Sequence, residues 1–435
     1  MEVSRSISNI LIHLEKLPPD WLGGYDSNQF NHLTLALYDK FTQLTPTPKI
    51  LLAEPDPYRF LASVVAAVAA DCPLFLANPY WVEKEWQEAL ALVQPDLILG
   101  KRVEAVNGSE GGIPQIMIPT GGSSGKIRFA VHSWSSLTAS VKGFIEYFPQ
   151  TPVNSYCVLP LYHVSGLMQF LRSFLTGGKF LLKSYKELKA GETGTIDPQD
   201  FFISLVPTQL QYLLEMDSDW LSRFHTVLLG GAPPWRGLLD TARKAKIRLA
   251  PSYGMTETAS MIVALPPDDF LAGNNSSGRV LPHGKVLAGN ETGTIVIKTN
   301  SLCSGYYGEP VFSSSSFTTD DLGYFDSLGY LHVVGRNSDK IITGGENVFP
   351  SEVEGAILAT GLVSDVCVVG KPDPKWGEVV TAFYVPKDTN ISAFNLKILL
   401  KNKLVMYKIP QSWVQVDSLP RNEQGKINRY MLTSF

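Results

Sequence analysis

Cysteine is scarce in this chain. The 435 residues hold four, Cys72, Cys157, Cys303 and Cys367, each tens of residues from the next. No pair has the close spacing of a zinc site, and nothing suggests a disulfide framework. The pattern predicts reduced, buried thiols in a cytoplasmic protein. An excess of either charge is also missing: 37 lysines and arginines face 41 aspartates and glutamates, a net charge of −4. No long basic run occurs, so neither nucleic acid nor an anionic membrane is an implied partner. The longest apolar run, residues 61–70, falls well short of the ~20 residues that span a bilayer. The opening Met1-Glu-Val-Ser-Arg5 leads into polar, amphipathic sequence, which predicts no signal peptide. Two common phosphate-binding signatures are absent as well. Gly121 to Gly125 is one residue short of a Walker A loop, with Ile127 where its hydroxyl residue belongs. No His-Arg-Asp or Asp-Phe-Gly follows to make a kinase.

What is plentiful is core. A hydrophobic fraction of 44% against 18% charged describes a globular protein, with length for roughly three domain units, or one large and one small domain. Residues 1–45 read as amphipathic helices with a polar loop around Gly23 to Asn31. Short apolar runs at 49–52, 74–76, 97–99, 156–159, 180–182, 201–206, 226–229 and 247–249 then alternate with helical patterns. That alternation predicts βαβ units and parallel sheet. From about Gly278 the texture turns to short strands and turns, predicting an antiparallel or barrel-like part. After Arg336 it changes again, to a helix at 350–358, strands at 366–369 and 380–385, and a helix at 392–404. This is a small α+β unit.

Two segments carry chemistry. Residues 118–128 read Ile-Pro-Thr-Gly-Gly-Ser-Ser-Gly-Lys-Ile-Arg, a Gly/Ser/Thr loop directly after an apolar stretch. Glycine permits the tight turns by which backbone N–H groups and hydroxyls reach phosphate oxygens. Residues 251–258 read Pro-Ser-Tyr-Gly-Met-Thr-Glu-Thr. They bring together an aromatic face, a hydroxyl and a carboxylate, the groups that hold a purine, a phosphate and a metal. Alone, a Gly/Ser-rich stretch is more often an ordinary surface loop. Jointly the segments point to an enzyme that uses ATP to activate something.

Further blocks stand in order around them: Leu159-Pro-Leu-Tyr-His-Val-Ser-Gly166, Leu229-Gly-Gly-Ala-Pro-Pro234, Thr319-Asp-Asp-Leu-Gly323, Gly335-Arg-Asn-Ser-Asp-Lys340, Thr343-Gly-Gly-Glu-Asn347 and Asn422-Glu-Gln-Gly-Lys-Ile427. With these, the whole chain resembles the adenylate-forming superfamily of acyl-CoA synthetases, luciferases and peptide-synthetase adenylation domains. The resemblance implies an α/β fold with a large N-terminal domain, residues 1–336, of parallel-sheet α/β subdomains plus a small β-barrel-like part. A hinge at 337–338 and a small, mobile α+β C-terminal domain, residues 339–435, complete it. It also implies small-molecule partners: a carboxylic acid, ATP with Mg²⁺, and coenzyme A as co-substrate. Relatives of this kind are often homo-oligomers, though no interface is assignable here.

Site residues follow from the same resemblance. Thr120, Gly121, Gly122, Ser123, Ser124 and Gly125 grip the β- and γ-phosphates. The usual Pro-Lys-Gly end of that loop is Ile127-Arg128-Phe129 here; Arg128 keeps the charge, with bidentate geometry suited to phosphate, whereas Phe129 is a departure that the resemblance does not explain. Adenine lies between the Gly230-Gly231-Ala232 backbone and the Tyr253 ring, within Ser252-Tyr253-Gly254-Met255. Thr256 contacts the α-phosphate and Glu257 holds Mg²⁺, a hard cation suited to carboxylate oxygen. Asp321 takes both ribose hydroxyls, beside Arg336. Lys426 bridges the acid's carboxylate and the α-phosphate, a point cation between two anions. His163 gates the carboxylate and, with Thr256, Glu257 and Lys426, completes the catalytic set. Ser338 sits in the hinge, and Gly344 and Gly345 line the path of the pantetheine arm.

The His-Val-Ser-Gly wording, the Val206-Pro-Thr-Gln-Leu210 segment and the compact length are most similar to the branch that joins o-succinylbenzoate to coenzyme A in menaquinone and phylloquinone biosynthesis. That acid bears two carboxylates. One is activated; the other must be neutralised or hydrogen-bonded, and Ser165, Gln209 and Thr258 are candidates, with no arginine assigned. Ligases for other aromatic or medium-chain acids share every nucleotide motif, as does an enzyme that loads a carrier protein. A non-catalytic nucleotide binder is supported only by the altered Ile-Arg-Phe end.

Overall fold

The computed structural model describes residues 9–100, 114–121, 126–193, 197–388, 390–421 and 427–433. Four sheets organise them. The first runs Leu97–Gly100, Ile50–Ala53, Leu74–Leu76, Ile116–Gly121, Ile127–His132 in spatial order. Its junctions are parallel except the last, an antiparallel hairpin. The short strands 50–53 and 74–76 are wholly apolar and wholly buried, as strands covered on both faces must be. The helix Pro57–Ala69 that follows the first of them buries every residue from Phe60 to Val68. Asp56 caps it by accepting from Arg59 N, and Pro57 opens its first turn, where a missing N–H costs nothing.

The second sheet has eight strands, ordered Leu22–Gly23, Phe180–Leu182, Asn154–Cys157, Phe201–Leu205, Thr226–Leu229, Leu249–Met255, Ser260–Ala264, Arg279–Val280. It is parallel until strand 249–255, which turns back antiparallel into 260–264. One core joins the first two sheets, since Ile50, Leu74 and Ile116 cluster with Cys157, Phe170, Phe174 and Phe180. The barrel-like expectation resolves as a four-stranded antiparallel sheet, Gly284–Leu287, Gly293–Thr299, Ser316–Phe325, Leu331–Arg336. The last sheet takes its strands only from residues 341–415, and packs the helices Pro350–Leu358 and Ala393–Leu400 over Val366, Val368 and Val380.

Two local readings needed correction. The polar stretch around residues 23–31 is not all loop, because the helix Ser27–Thr42 begins inside it. Asp26 accepts from Asn28 N and Gln29 N, a capping signal embedded in polar sequence. The strand expected at 247–249 instead runs Leu249–Met255, so most of the Pro-Ser-Tyr-Gly-Met motif is strand. The four cysteines are free and buried, as expected. Among the described residues no helix is long and apolar enough to cross a membrane.

Candidate active site

Parallel strands 201–205, 226–229 and 249–255 end side by side, with Leu229 paired to both Leu205 and Pro251. Whatever follows these strands is gathered at one sheet edge, the usual place for a ligand crevice in such sheets. Gly230, Gly231 and Ala232 follow the middle strand, and Gly230 N donates to Leu205 O at 3.2 Å. Ser252 Oγ donates to Leu229 O at 3.0 Å, locking the next strand to that loop. Tyr253 then reaches across to the third sheet, where its hydroxyl donates to Asp321 Oδ2 at 2.8 Å. Burial first, and then the Asp321 carboxylate, push the phenol up from its usual range, so the hydroxyl stays a donor. Asp321 and Arg336 are cross-strand partners, with Arg336 Nε 3.5 Å from Asp321 Oδ1. Three motifs far apart in sequence thus meet in one chain of contacts.

After Met255 the chain makes a single 3₁₀ turn, Thr256–Thr258. Gly254 sits beside a register shift, and a Cβ there would lie 2.1 Å from Ser260 O. Only glycine lets the two strands close. The buried Thr258 hydroxyl serves its own turn, accepting from Met255 N at 3.1 Å and donating to Ser260 O at 2.7 Å. Glu257 is 8% exposed, and its Oε1 accepts from the Tyr306 hydroxyl at 2.6 Å. Burial and this carboxylate push the Tyr306 phenol up. His132, fully buried, donates from Nε2 to Thr256 O at 2.8 Å and meets Ser136 Oγ through Nδ1 at 3.0 Å. Burial lowers its pKa to about 4, so the tether is a neutral ring at ordinary pH.

The phosphate segment is a hairpin. Thr120 lies opposite Arg128 and Gly121 opposite Ile127; Gly122, Ser123, Ser124 and Gly125 lie outside the described residues. Arg128 forms a bidentate pair with Glu309 at 3.0 and 3.1 Å, and its guanidinium carbon stands 3.4 Å above the centroid of Tyr306. Successive strand residues face opposite ways, so Phe129 turns inward, fully buried against Phe75 at 5.3 Å. Its presence is a packing matter: truncating such a ring costs about 3–5 kcal/mol.

Of the residues expected to meet the acid, His163 is the N-terminal cap residue of helix Val164–Thr176, half-buried, with its ring 4.5 Å from that of Tyr162. Ser165 lies in the first turn, its carbonyl accepting from Gln169 Nε2 at 2.9 Å. Gln209 caps the helix Pro207–Ser222, its Oε1 accepting from Val206 N at 3.1 Å. The sequence reading missed Arg172 on the same helix as Ser165. This arginine is fully buried, its Nη2 donating to Ser260 Oγ at 3.3 Å and its guanidinium 4.1 Å from the Phe144 centroid. Burial lowers its pKa, to about 9, and no carboxylate among the described residues opposes this, so it is charged at neutral pH. Arg172 Nε, Gln169 Oε1 and both ring nitrogens of His283 are buried without hydrogen-bond partners among the described residues. Burial, and then Arg172, lower His283 to about 4. Buried polar atoms are normally paired, and Arg172 stands out as a buried cation with no anion beside it among the described residues. A helix-period apolar stripe containing one arginine was the signal available in the sequence.

Further along, Ser338 N and Oγ both donate to Asp320 Oδ2, at 3.2 and 2.5 Å. Gly344 and Gly345, with φ of +59° and +85°, form the two-residue turn between strands Ile341–Thr343 and Glu346–Val348. Such turns need positive φ at both positions. Gly344 N donates to Trp376 O at 2.8 Å, and the Trp376 ring would lie 3.0 Å from any Cβ at Gly344. Lys426 lies outside the described residues. No group of three or more His, Cys, Asp or Glu among them could hold a metal. A lone buried carboxylate at Glu257, with Oε1 bonded by Tyr306, fits Mg²⁺, which takes one or two carboxylates plus substrate phosphates and water.

Residues 113–307 match the AMP-binding enzyme family and residues 352–426 its C-terminal domain. The chain belongs to this family, the adenylate-forming enzymes. Curated relatives in this family include 2-succinylbenzoate–CoA ligases. That of Listeria monocytogenes serotype 4b (strain F2365) is 37% identical over 324 residues, 72% of this chain and 68% of the relative. That of Bacillus subtilis (strain 168) is 30% identical over 379 residues, 82% and 77% respectively. In fold, the chain is similar to o-succinylbenzoate CoA synthetase (MenE) from Bacillus subtilis in complex with the acyl-adenylate OSB-AMP. The TM-score is 0.85 and the identity 24%, over 98% of this chain and 97% of the other.

Proposed function

We propose that this protein is an ATP-dependent, AMP-forming ligase that joins 2-succinylbenzoate to coenzyme A in the cytoplasm, a step of quinone biosynthesis. In the first half-reaction an oxygen of the succinyl carboxylate attacks the α-phosphorus of ATP, and the bond to the departing pyrophosphate breaks. In the second, the thiol sulfur of coenzyme A attacks the acyl carbon, loses its proton, and AMP leaves.

The observation that carries the nucleotide half is the Tyr253–Asp321–Arg336 chain of contacts. Asp321 has a carboxylate for the ribose hydroxyls, while the Tyr253 ring and the Gly230–Ala232 backbone flank the purine. Thr120, Arg128 and the loop between them take the β- and γ-phosphates. Thr256 would contact the α-phosphate and Glu257 would hold Mg²⁺, which when bound would neutralise charge on the phosphates. Lys426 and His163 meet the reacting carboxylate, positive charge and donors being needed where negative charge moves. The altered loop end no longer favours a non-catalytic binder, since Phe129 belongs to the core.

The acid half rests on Arg172 and on the relatives' names. An acid with two carboxylates needs a partner for the one that does not react, and Arg172 is a buried cation with no anion beside it among the described residues. Of the other candidates, the hydroxyl of Thr258 and the side-chain carbonyl of Gln209 have structural partners, and Ser165 lies on the same helix as Arg172. We assign residues 1–336 to the adenylating core and 339–435 to a mobile domain that delivers Lys426 for adenylation. After it turns about 337–338, the Gly344–Gly345 turn faces the thiol path.

The test is to mix the purified protein with ATP, Mg²⁺, coenzyme A and 2-succinylbenzoate and follow pyrophosphate and thioester by mass spectrometry. Both products, absent with benzoate, coumarate and octanoate, are expected. Pyrophosphate without thioester would redirect the search to a carrier-protein acceptor, and no product from any acid would sink the ligase reading.

A further inference from the structure

Tyr306 has no role in the scheme above, yet it touches two of its charged groups. Its hydroxyl donates to Glu257 Oε1 at 2.6 Å, and the Arg128 guanidinium stands 3.4 Å above its ring. The backbone holds it firmly there. Residue 306 bridges Ala130 in antiparallel fashion, between Val131 N donating to Gly305 O and Tyr307 N donating to Phe129 O, both at 2.9 Å. Residues 304–307 thus dock against the edge of strand Ile127–His132, the second arm of the phosphate hairpin. Glu309, one turn on, grips Arg128 from the side at 3.0 and 3.1 Å.

We infer that Tyr306 is a positioning residue of the nucleotide site, fixing the Arg128 guanidinium and the Glu257 carboxylate in one frame so that phosphate and metal are met together. This deepens the ligase reading and rests on it. Glutamate and arginine side chains are among those with the largest rotamer entropies, and ordering both before the nucleotide arrives removes that cost from binding. The hydroxyl acts on Glu257 and the ring face acts on Arg128, so the two effects are separable. Tyr306→Phe keeps the face and deletes the donor; Tyr306→Leu deletes both.

The experiment is calorimetric titration of the full chain with ATP in EDTA, and again with ATP plus Mg²⁺, alongside thermal melts of the ligand-free proteins. Tyr306→Phe is expected to bind metal-free ATP as the wild type does. Its Mg²⁺-dependent gain in affinity should shrink about tenfold or more, the scale of a hydrogen bond to a charged group. Tyr306→Leu should in addition weaken metal-free ATP about two- to fivefold, the scale of an exposed cation–π contact. An unchanged Mg²⁺ gain in Tyr306→Phe would overturn the inference, as would equal weakening of both titrations in step with a lowered melting temperature. Should Tyr306→Leu not fold, the Tyr306→Phe pair of titrations decides alone. Wild-type protein that binds no ATP would instead sink the ligase reading, and this inference with it.

Discussion

Replacing Arg172 with methionine should push stability and catalysis in opposite directions. In the ligand-free protein the guanidinium is buried with one bond to Ser260 Oγ at 3.3 Å, a stacked Phe144 ring, and an Nε that bonds to nothing described. Methionine fills much the same volume without the charge, and exchanging buried ionic groups for apolar ones of similar size is often neutral or stabilising by about 1–4 kcal/mol. With the acid bound the sign reverses. Deleting one partner of a buried, hydrogen-bonded charge pair costs about 2–5 kcal/mol, which is about 30-fold to several-thousand-fold in kcat/KM. The assay compares 2-succinylbenzoate with 4-oxo-4-phenylbutanoate, the same acid without its ring carboxylate, in wild type and Arg172→Met, with melting curves of both proteins. The variant should lose kcat/KM for the first acid only, and melt no lower than wild type. Equal loss on both acids, or a clear fall in melting temperature, would refute the assignment and make Arg172 a structural residue.

Three further outcomes are expected. Lys426→Ala should abolish pyrophosphate release yet still form thioester from a supplied acyl-adenylate, and equal loss of both half-reactions would count against its role. Gly254→Ala should cost about 3 kcal/mol and impair ATP binding, because the new methyl meets backbone at Ser260 and Met261 rather than a movable side chain; a melting curve like wild type would contradict this. His132, neutral in the fold with a pKa lowered to about 4, takes up its proton more readily when unfolded. Its stabilising contribution is therefore complete above about pH 6.5 and drains away as pH falls towards 4, on the order of 3 kcal/mol in all. Denaturant titrations across that range should show the loss, and His132→Gln should flatten it.

The contacts that join Tyr253, Asp321 and Arg336 were foreshadowed because these residues lie in contiguous blocks. Tyr253, Asp321 and Arg336 each sat in a recognisable motif, and folding only had to bring the blocks to one edge. Sheet order was less accessible. The alternation of apolar runs announced parallel strands, yet nothing local said that strand 249–255 would continue through its motif and reverse at Ala259. Tyr306 and Arg172 escaped for a different reason. A tyrosine in Gly-Tyr-Tyr-Gly and an arginine in an apolar helix are unremarkable until their neighbours are known, and those neighbours are 49 and 88 residues away. Phe129 shows the converse, an oddity in the motif that proves to be ordinary core once strand alternation assigns it a face. Polar sequence also misled where a cap was hidden in it, at Asp26.

Asp320 and Asp321 are neighbours on one strand, and pleating sends their side chains to opposite faces. Asp321 joins the nucleotide residues, while Asp320 receives Ser338 through both its N–H and hydroxyl, and Asn337 N donates to Asp320 O at 2.8 Å. A single peptide unit therefore separates the residue proposed to hold the ribose from the segment about which the last domain is proposed to turn. Substitutions at the two aspartates are therefore expected to couple: a change at one shifts the backbone that carries the other, so what is tolerated at Asp320 should depend on the residue at 321.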